Sequence, residues 1–86
     1  MKVVFIERAW SEYQYWQEND KRMVRKVNSL LRDIIRHPYS GLGKPETLKH
    51  DLAGLWSRRI DHEHRLVYRA DDEELIVYSC RFHYDN

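Results

Sequence analysis

The chain has 86 residues, enough for one compact domain over residues 1–86 and no second one, and its 42% apolar and 13% aromatic content supplies a core that argues against disorder. No apolar run reaches the length of a membrane span, and the run at residues 3–6 is too short for a signal-peptide core, so a cytoplasmic protein without membrane association is expected. The net charge of +1 conceals a division: residues 21–69 carry twelve Lys or Arg against five Asp or Glu, while the two flanks together carry three against nine.

A basic middle in a near-neutral chain is what a polyanion-binding surface produces. The stretch 21–36 taken alone fits a solvated helix face equally well. A domain of this size buries only about 60–65% of the surface its unfolded chain exposes, which favours an oligomer or a tight partner.

Residues 2–6 are apolar and β-branched and predict a first strand. Residues 8–18 follow with Trp10, Tyr13 and Trp16 at helical spacing. Asn19 or Asp20 breaks that pattern and can cap a second helix, in which Val24, Val27, Leu30, Leu31, Ile34 and Ile35 form an apolar stripe. His37-Pro38 ends it, because proline disfavours helical geometry in the residue before it. Residues 39–45 form a loop punctuated by Gly41, Gly43 and Pro45. Its Gly41-Leu42-Gly43-Lys44 lacks the glycine spacing and the Ser or Thr of a phosphate-binding loop, and that reading is rejected.

Three strands complete the chain, over 55–60, 65–70 and 75–83, joined by polar turns short enough to make neighbours antiparallel. The expected fold is α+β: two N-terminal helices packed on one face of a small, mainly antiparallel sheet in the order β-α-α-β-β-β.

Alternation sorts the strand residues onto two faces. Trp56, Arg58 and Ile60 share one and Ser57 and Arg59 the other; Leu66 and Tyr68 should meet the helices, sending Arg65 to the open side. Ile76, Tyr78, Cys80 and Phe82 alternate with Val77, Ser79, Arg81 and His83. The open face would then carry Arg59, Arg65, Arg81 and His83, a cationic surface suited to phosphate through the planar guanidinium fork. Single charges of this kind are ordinary on a wet sheet face.

Of five histidines, His37 terminates a helix, and His50 is either functional near Glu46 and Lys49 or simply exposed. His62 and His64 flank Glu63 in a turn whose adjacent side chains converge poorly on one ion, so no metal site and no cofactor is expected. His83, at the end of a strand, is the best isolated candidate for proton exchange. The single Cys80 reads as a buried core residue.

The residues alone give a basic face and an acid–base set without naming a reaction. The strings Tyr15-Trp16-Gln17, Gly43-Lys44-Pro45-Glu46, Leu48-Lys49-His50, Trp56-Ser57-Arg58-Arg59-Ile60, His64-Arg65-Leu66-Val67-Tyr68 and Cys80-Arg81-Phe82-His83-Tyr84 go further. In order and spacing they resemble the YoeB (Txe) toxin family of the RelE-like ribonuclease group, over residues 1–84. The resemblance implies a ribosome-dependent endoribonuclease that cuts messenger RNA at the A-site codon without a metal. It also implies a cognate YefM-like antitoxin, promoter DNA reached only through the antitoxin complex, and a homodimer. The roles it assigns fall on Glu46 as base, His83 as acid and Arg65 as stabiliser of the phosphate, with Lys49, Arg59 and Tyr84 in support; Arg81 joins them as a phosphate contact on its place in the basic face.

This chain departs from the family pattern in Thr47 after the glutamate, in Phe82 where tyrosine is common, and in Asp85 and Asn86 beyond Tyr84. The rival readings are a ParE-like toxin acting on gyrase, a non-catalytic binder of RNA or ribosome, and, more distantly, a metal-dependent nuclease.

Overall fold

The computed structural model describes residues 1–83. Strand β1 (Lys2–Phe5) leads into helices α1 (Glu7–Asn19) and α2 (Lys21–Arg36), and strands β2 (Glu46–Thr47), β3 (Trp56–Arg59), β4 (Arg65–Ala70) and β5 (Glu74–Ser79) follow. They form one sheet in the order β1-β5-β4-β3-β2, parallel between β1 and β5 and antiparallel elsewhere. The mainly antiparallel α+β plan holds, with one strand more than expected. Strand β2 is two residues long and shows no alternation from which it could have been read.

Both helices lie on one face. Ala9 and Trp16 of α1 and Val27, Leu30 and Ile34 of α2 pack with Leu66, Tyr68 and Ala70 of β4 and Leu75 and Val77 of β5. Burial of each large apolar side chain contributes about 1.5–3 kcal/mol. The apolar stripe of α2 is rotated slightly from its expected setting: Met23 joins the core while Ile35 stays 41% exposed. On α1, Trp10 is likewise exposed and stacks beside Tyr13. Asp20 caps α2 by accepting the Arg22 amide at 3.1 Å, and the helix stops at His37 before Pro38.

Strand β5 corrects the expected alternation. Leu75 and Val77 face the helices, yet Cys80 is in the same core. Val67 pairs with Ser79 and Tyr68 with Val77, so Tyr78 is the extra residue of a β-bulge. The bulge reverses the parity: the expected faces hold at Ser79 and Cys80 and are inverted before them. The strand ends at Ser79 and does not run to residue 83.

Arg58 is the least expected member of the interior, with no exposed surface. Alternation placed it between Trp56 and Ile60 on the helix side, where a cation must find partners. Its Nη1 donates to the Asp33 carboxylate and to the Leu42 carbonyl at 3.1 Å. Its Nη2 donates to the carbonyls of His37 and Ser40, and its Nε to the Tyr68 hydroxyl at 3.1 Å. The Tyr68 hydroxyl in turn donates to the Pro38 carbonyl at 2.7 Å. The loop between α2 and β2 is thus wrapped around one guanidinium. The Leu42 amide, 2.9 Å from the Asp33 carboxylate, and then Arg58 hold that carboxyl below its ordinary range.

Replacing Arg58 with Met removes the cation and strands Asp33 and three carbonyls; we expect a loss of about 3–5 kcal/mol in urea unfolding. Asp33 has a depressed folded pKa, so its contribution is complete above its ordinary value of 3.8 and disappears as pH falls through the lower folded value. Asp33→Asn should therefore be less stable than wild type at neutral pH, with the difference shrinking on acidification below about pH 4, as read from denaturation midpoints across a pH series.

Candidate active site

The face of the sheet turned away from the helices is built from cross-strand pairs, whose directly opposite side chains point the same way. Glu46 pairs with Ser57, Ser57 with Val67, and Val67 with Ser79, giving one row across four strands. Arg59 pairs with Arg65 in the next row, two residues or about 7 Å further along. Val67 and Leu48 are buried yet stand outside the core beneath the helices, so the open face has a partly apolar floor. Glu46 and Arg59 are exposed above it and Arg65 is half-buried.

Two arginines directly opposite each other repel. Among the described residues neither is paired with a carboxylate. Arg65 is held in place by carbonyls instead: its Nη1 donates to Asp61 at 2.8 Å and His64 at 3.1 Å. Burial pushes the Asp61 carboxyl upward, but the amides of His64 and Glu63 outweigh it and hold the group below its ordinary value. Asp61 therefore stays charged and keeps the turn that carries Arg65 closed.

Glu46 reaches this face through the loop around Arg58. The Arg59 amide donates to the Gly43 carbonyl at 2.6 Å, which lays the loop along β3. Gly43 has φ +79°, and a Cβ there would sit 2.8 Å from the Arg59 carbonyl oxygen, so only glycine permits the approach. Three residues later Glu46 falls opposite Ser57. Lys49 lies beyond the end of β2, on the side of Glu46 away from Arg59, and opens the short 3-10 turn at His50–Leu52.

The segment after β5 returns to the same end of the sheet. The Arg65 amide donates to the Phe82 carbonyl at 2.9 Å, and the exposed His83 is the next residue. Arg81 is corrected: it has left the strand, and its guanidinium lies 3.5 Å over the Tyr15 ring of α1, away from the exposed cationic row. Tyr84 lies outside the described residues. The structure thus gathers Glu46, Arg59, Arg65 and the Phe82–His83 turn at one end of the open face, with Lys49 on its flank. Cys80 is buried, and burial, then the nearby Glu12, pushes its thiol up to about 12, which keeps it protonated.

Beside Arg59 a groove of about 420 Å³ runs between α2 and the loop, lined by Arg22, Arg25, Lys26, Leu42 and Gly43. Arg22, Arg25 and Lys26 of α2 thus form a second basic surface, on the helix side of Arg59. Among the described residues no three His, Cys, Asp or Glu side chains are grouped to hold a metal ion, and no helix is long and apolar enough to cross a membrane.

Alternation and composition reached Arg59, Arg65 and His83, whereas Glu46 and Lys49 carried no local signal and came from the resemblance. Arg58, which positions Glu46, was missed as a site determinant. Its signal was a cation on the core face of a strand, facing a loop with no structure of its own.

The family model for YoeB-like toxins of bacterial type II toxin–antitoxin systems matches residues 5–84. Toxin YoeB of Escherichia coli K12 is 55% identical over 84 residues, covering 98% of this chain and all of that protein. A YoeB/ParE toxin from Agrobacterium tumefaciens superposes with a TM-score of 0.94 at 53% identity, covering 98% of this chain and all of the other. Two Staphylococcus aureus structures, a YoeB dimer and a heterotetrameric YoeB–YefM toxin–antitoxin complex, give TM-scores of 0.92 and 0.91 at 49% identity, each with 98% of both chains covered. With likeness of this degree along nearly the whole chain, this protein belongs to the YoeB-like toxins of bacterial type II toxin–antitoxin systems.

Proposed function

We propose that this toxin is a metal-independent endoribonuclease that enters the ribosome and cuts messenger RNA within the A-site codon. The observation that carries the reading is the direct opposition of Arg59 and Arg65 on the open face, with Glu46 one row away. Two arginines at directly opposite positions are costly without an anion near them and well placed to share a phosphate.

RNA carries its own nucleophile, the 2′-hydroxyl beside the scissile phosphate. Glu46 takes the 2′-hydroxyl proton, and the oxygen attacks phosphorus. Arg65 and Arg59, with Lys49 from the flank, stabilise the added negative charge of the pentacoordinate phosphate. His83, protonated, gives its proton to the departing 5′-oxygen. The bond from phosphorus to that oxygen breaks, leaving a 2′,3′-cyclic phosphate and a 5′-hydroxyl. Tyr84 stacks on a base of the codon. Arg81 is not assigned a phosphate contact in this scheme, because its guanidinium is engaged by Tyr15.

The toxin acts in the cytoplasm, is silenced by a YefM-like antitoxin and forms a homodimer; the YoeB–YefM complex and YoeB dimer of Staphylococcus aureus support both partners. The apolar residues exposed on β1, Val3 and Val4, and Trp10 on α1 supply surface for such partners.

Mapping 5′ ends of a reporter messenger RNA, with and without programmed ribosomes, tests the reading. New ends bearing 5′-hydroxyls inside the A-site codon, seen only with ribosomes, are expected. Ends without ribosomes would remove the ribosome from the mechanism. No cleavage by folded toxin freed of antitoxin would favour a non-catalytic binder or a gyrase-directed toxin. In the same reaction Glu46→Gln and His83→Gln should each lower kcat by about 10²–10⁴-fold, the usual contribution of a general base or acid. An unchanged rate in either variant would remove that residue from the chemistry.

A further inference from the structure

The turn 61–64 supplied two histidines that the reaction does not use, and one of them is engaged with the segment that carries His83. His64 Nδ1 accepts the Phe82 amide at 2.8 Å. Its ring is edge-on to the buried Trp16 at 4.9 Å and to the Phe82 ring at 6.3 Å. An acceptor Nδ1 requires the tautomer protonated at Nε2, and the Glu63 carboxylate 3.6 Å from Nε2 favours that form.

The residue it holds is strained. Phe82 has φ +75°, in the left-handed region that a bulky side chain rarely adopts, and its ring is 49% exposed, so little apolar burial offsets the conformation. Hydrogen bonds maintain it at both ends: the amide goes to His64 Nδ1, and the carbonyl accepts the Arg65 amide at 2.9 Å. Two residues earlier, the Cys80 amide donates to Glu12 at 2.8 Å and its carbonyl accepts the Trp16 indole N–H at 2.8 Å. The segment is thus tied from two elements, and His64 is the side chain nearest in sequence to Arg65 among those ties.

We propose that His64 is a positioning residue, whose neutral Nδ1 pins the left-handed Phe82 turn against β4 and so aims His83 at the phosphate bound by the adjacent Arg65. The assignment rests on the nuclease reading above. It gives the Asp-His-Glu-His turn a purpose other than metal binding: Asp61 closes the turn, and His64 carries its geometry across to the acid.

His64→Asn keeps a side-chain oxygen near the Nδ1 position, whereas His64→Leu keeps bulk without an acceptor. For the Leu variant we expect kcat on programmed ribosomes to fall about 10–100-fold, the cost of misplacing a catalytic group by about an ångström, with KM little changed. The Asn variant should recover most of the loss, and exchange of the Phe82 amide should be fast in Leu and slow in Asn and wild type. Should Leu prove unfolded, His64→Phe, which keeps a ring against Trp16 but has no acceptor, takes its place with the same expectation.

Equal impairment of the Asn and acceptor-less variants would reduce His64 to packing and overturn the proposal. Wild-type kcat in the folded Leu variant would overturn it as well. Absence of cleavage by the wild-type toxin would instead overturn the nuclease reading, and with it the catalytic purpose of this tie.

Discussion

A guanidinium sealed inside the molecule organises what the open face displays. Arg58 cannot return to water, so the chain brings partners to it: a carboxylate from α2, three loop carbonyls and a tyrosine hydroxyl from β4. A buried cation is costly to desolvate, and hydrophobic residues of similar volume are often as stable in such a place. What the charge provides is a single conformation for a loop whose Tyr39 and Leu42 stay exposed. The loop exits at Gly43 in contact with the Arg59 backbone, and the register of β2 on β3 follows. The position of Glu46 is thereby linked to an ion pair on the opposite side of the sheet.

The second half of the site is held in a comparable way. Residues 80–82 leave the sheet after the bulge at Tyr78 and receive side-chain or backbone partners from α1, from His64 in the turn before β4 and from β4 itself. Arg81, stacked on Tyr15, fastens the same segment to α1. Neither segment bearing the proposed base and acid is regular secondary structure for more than two residues. Each is fixed by polar side chains that saturate its backbone, which gives loop-borne groups the precision of a rigid scaffold.

Much of this was legible in the sequence. The β4 boundaries, the Pro38 stop and the amphipathic pattern of α2 follow from local chemistry, and Leu66 and Tyr68 fixed the helix face of β4 and therefore the outward setting of Arg65. Three features were not legible. A two-residue strand has no period, so nothing in the local sequence marks β2. A bulge shifts parity by one residue without changing composition, so the alternation before Ser79 was inverted. Arg81 was placed outside because its alternative, an aromatic platform on a helix 66 residues earlier, is a long-range contact that no local pattern encodes. The resemblance to known toxins, not periodicity, singled out Glu46 and Lys49.

The proposed chemistry requires the scissile phosphate to lie over the Arg59–Arg65 pair. The most direct measurement is a structure of the toxin on a ribosome programmed with messenger RNA carrying a 2′-deoxy nucleotide at the cleavage position. The expected result is a phosphate contacted by both arginines, with Glu46 facing the 2′ carbon and His83 facing the 5′-oxygen. A scissile phosphate seated in the groove of Arg22, Arg25 and Lys26, with the open face empty, would contradict it.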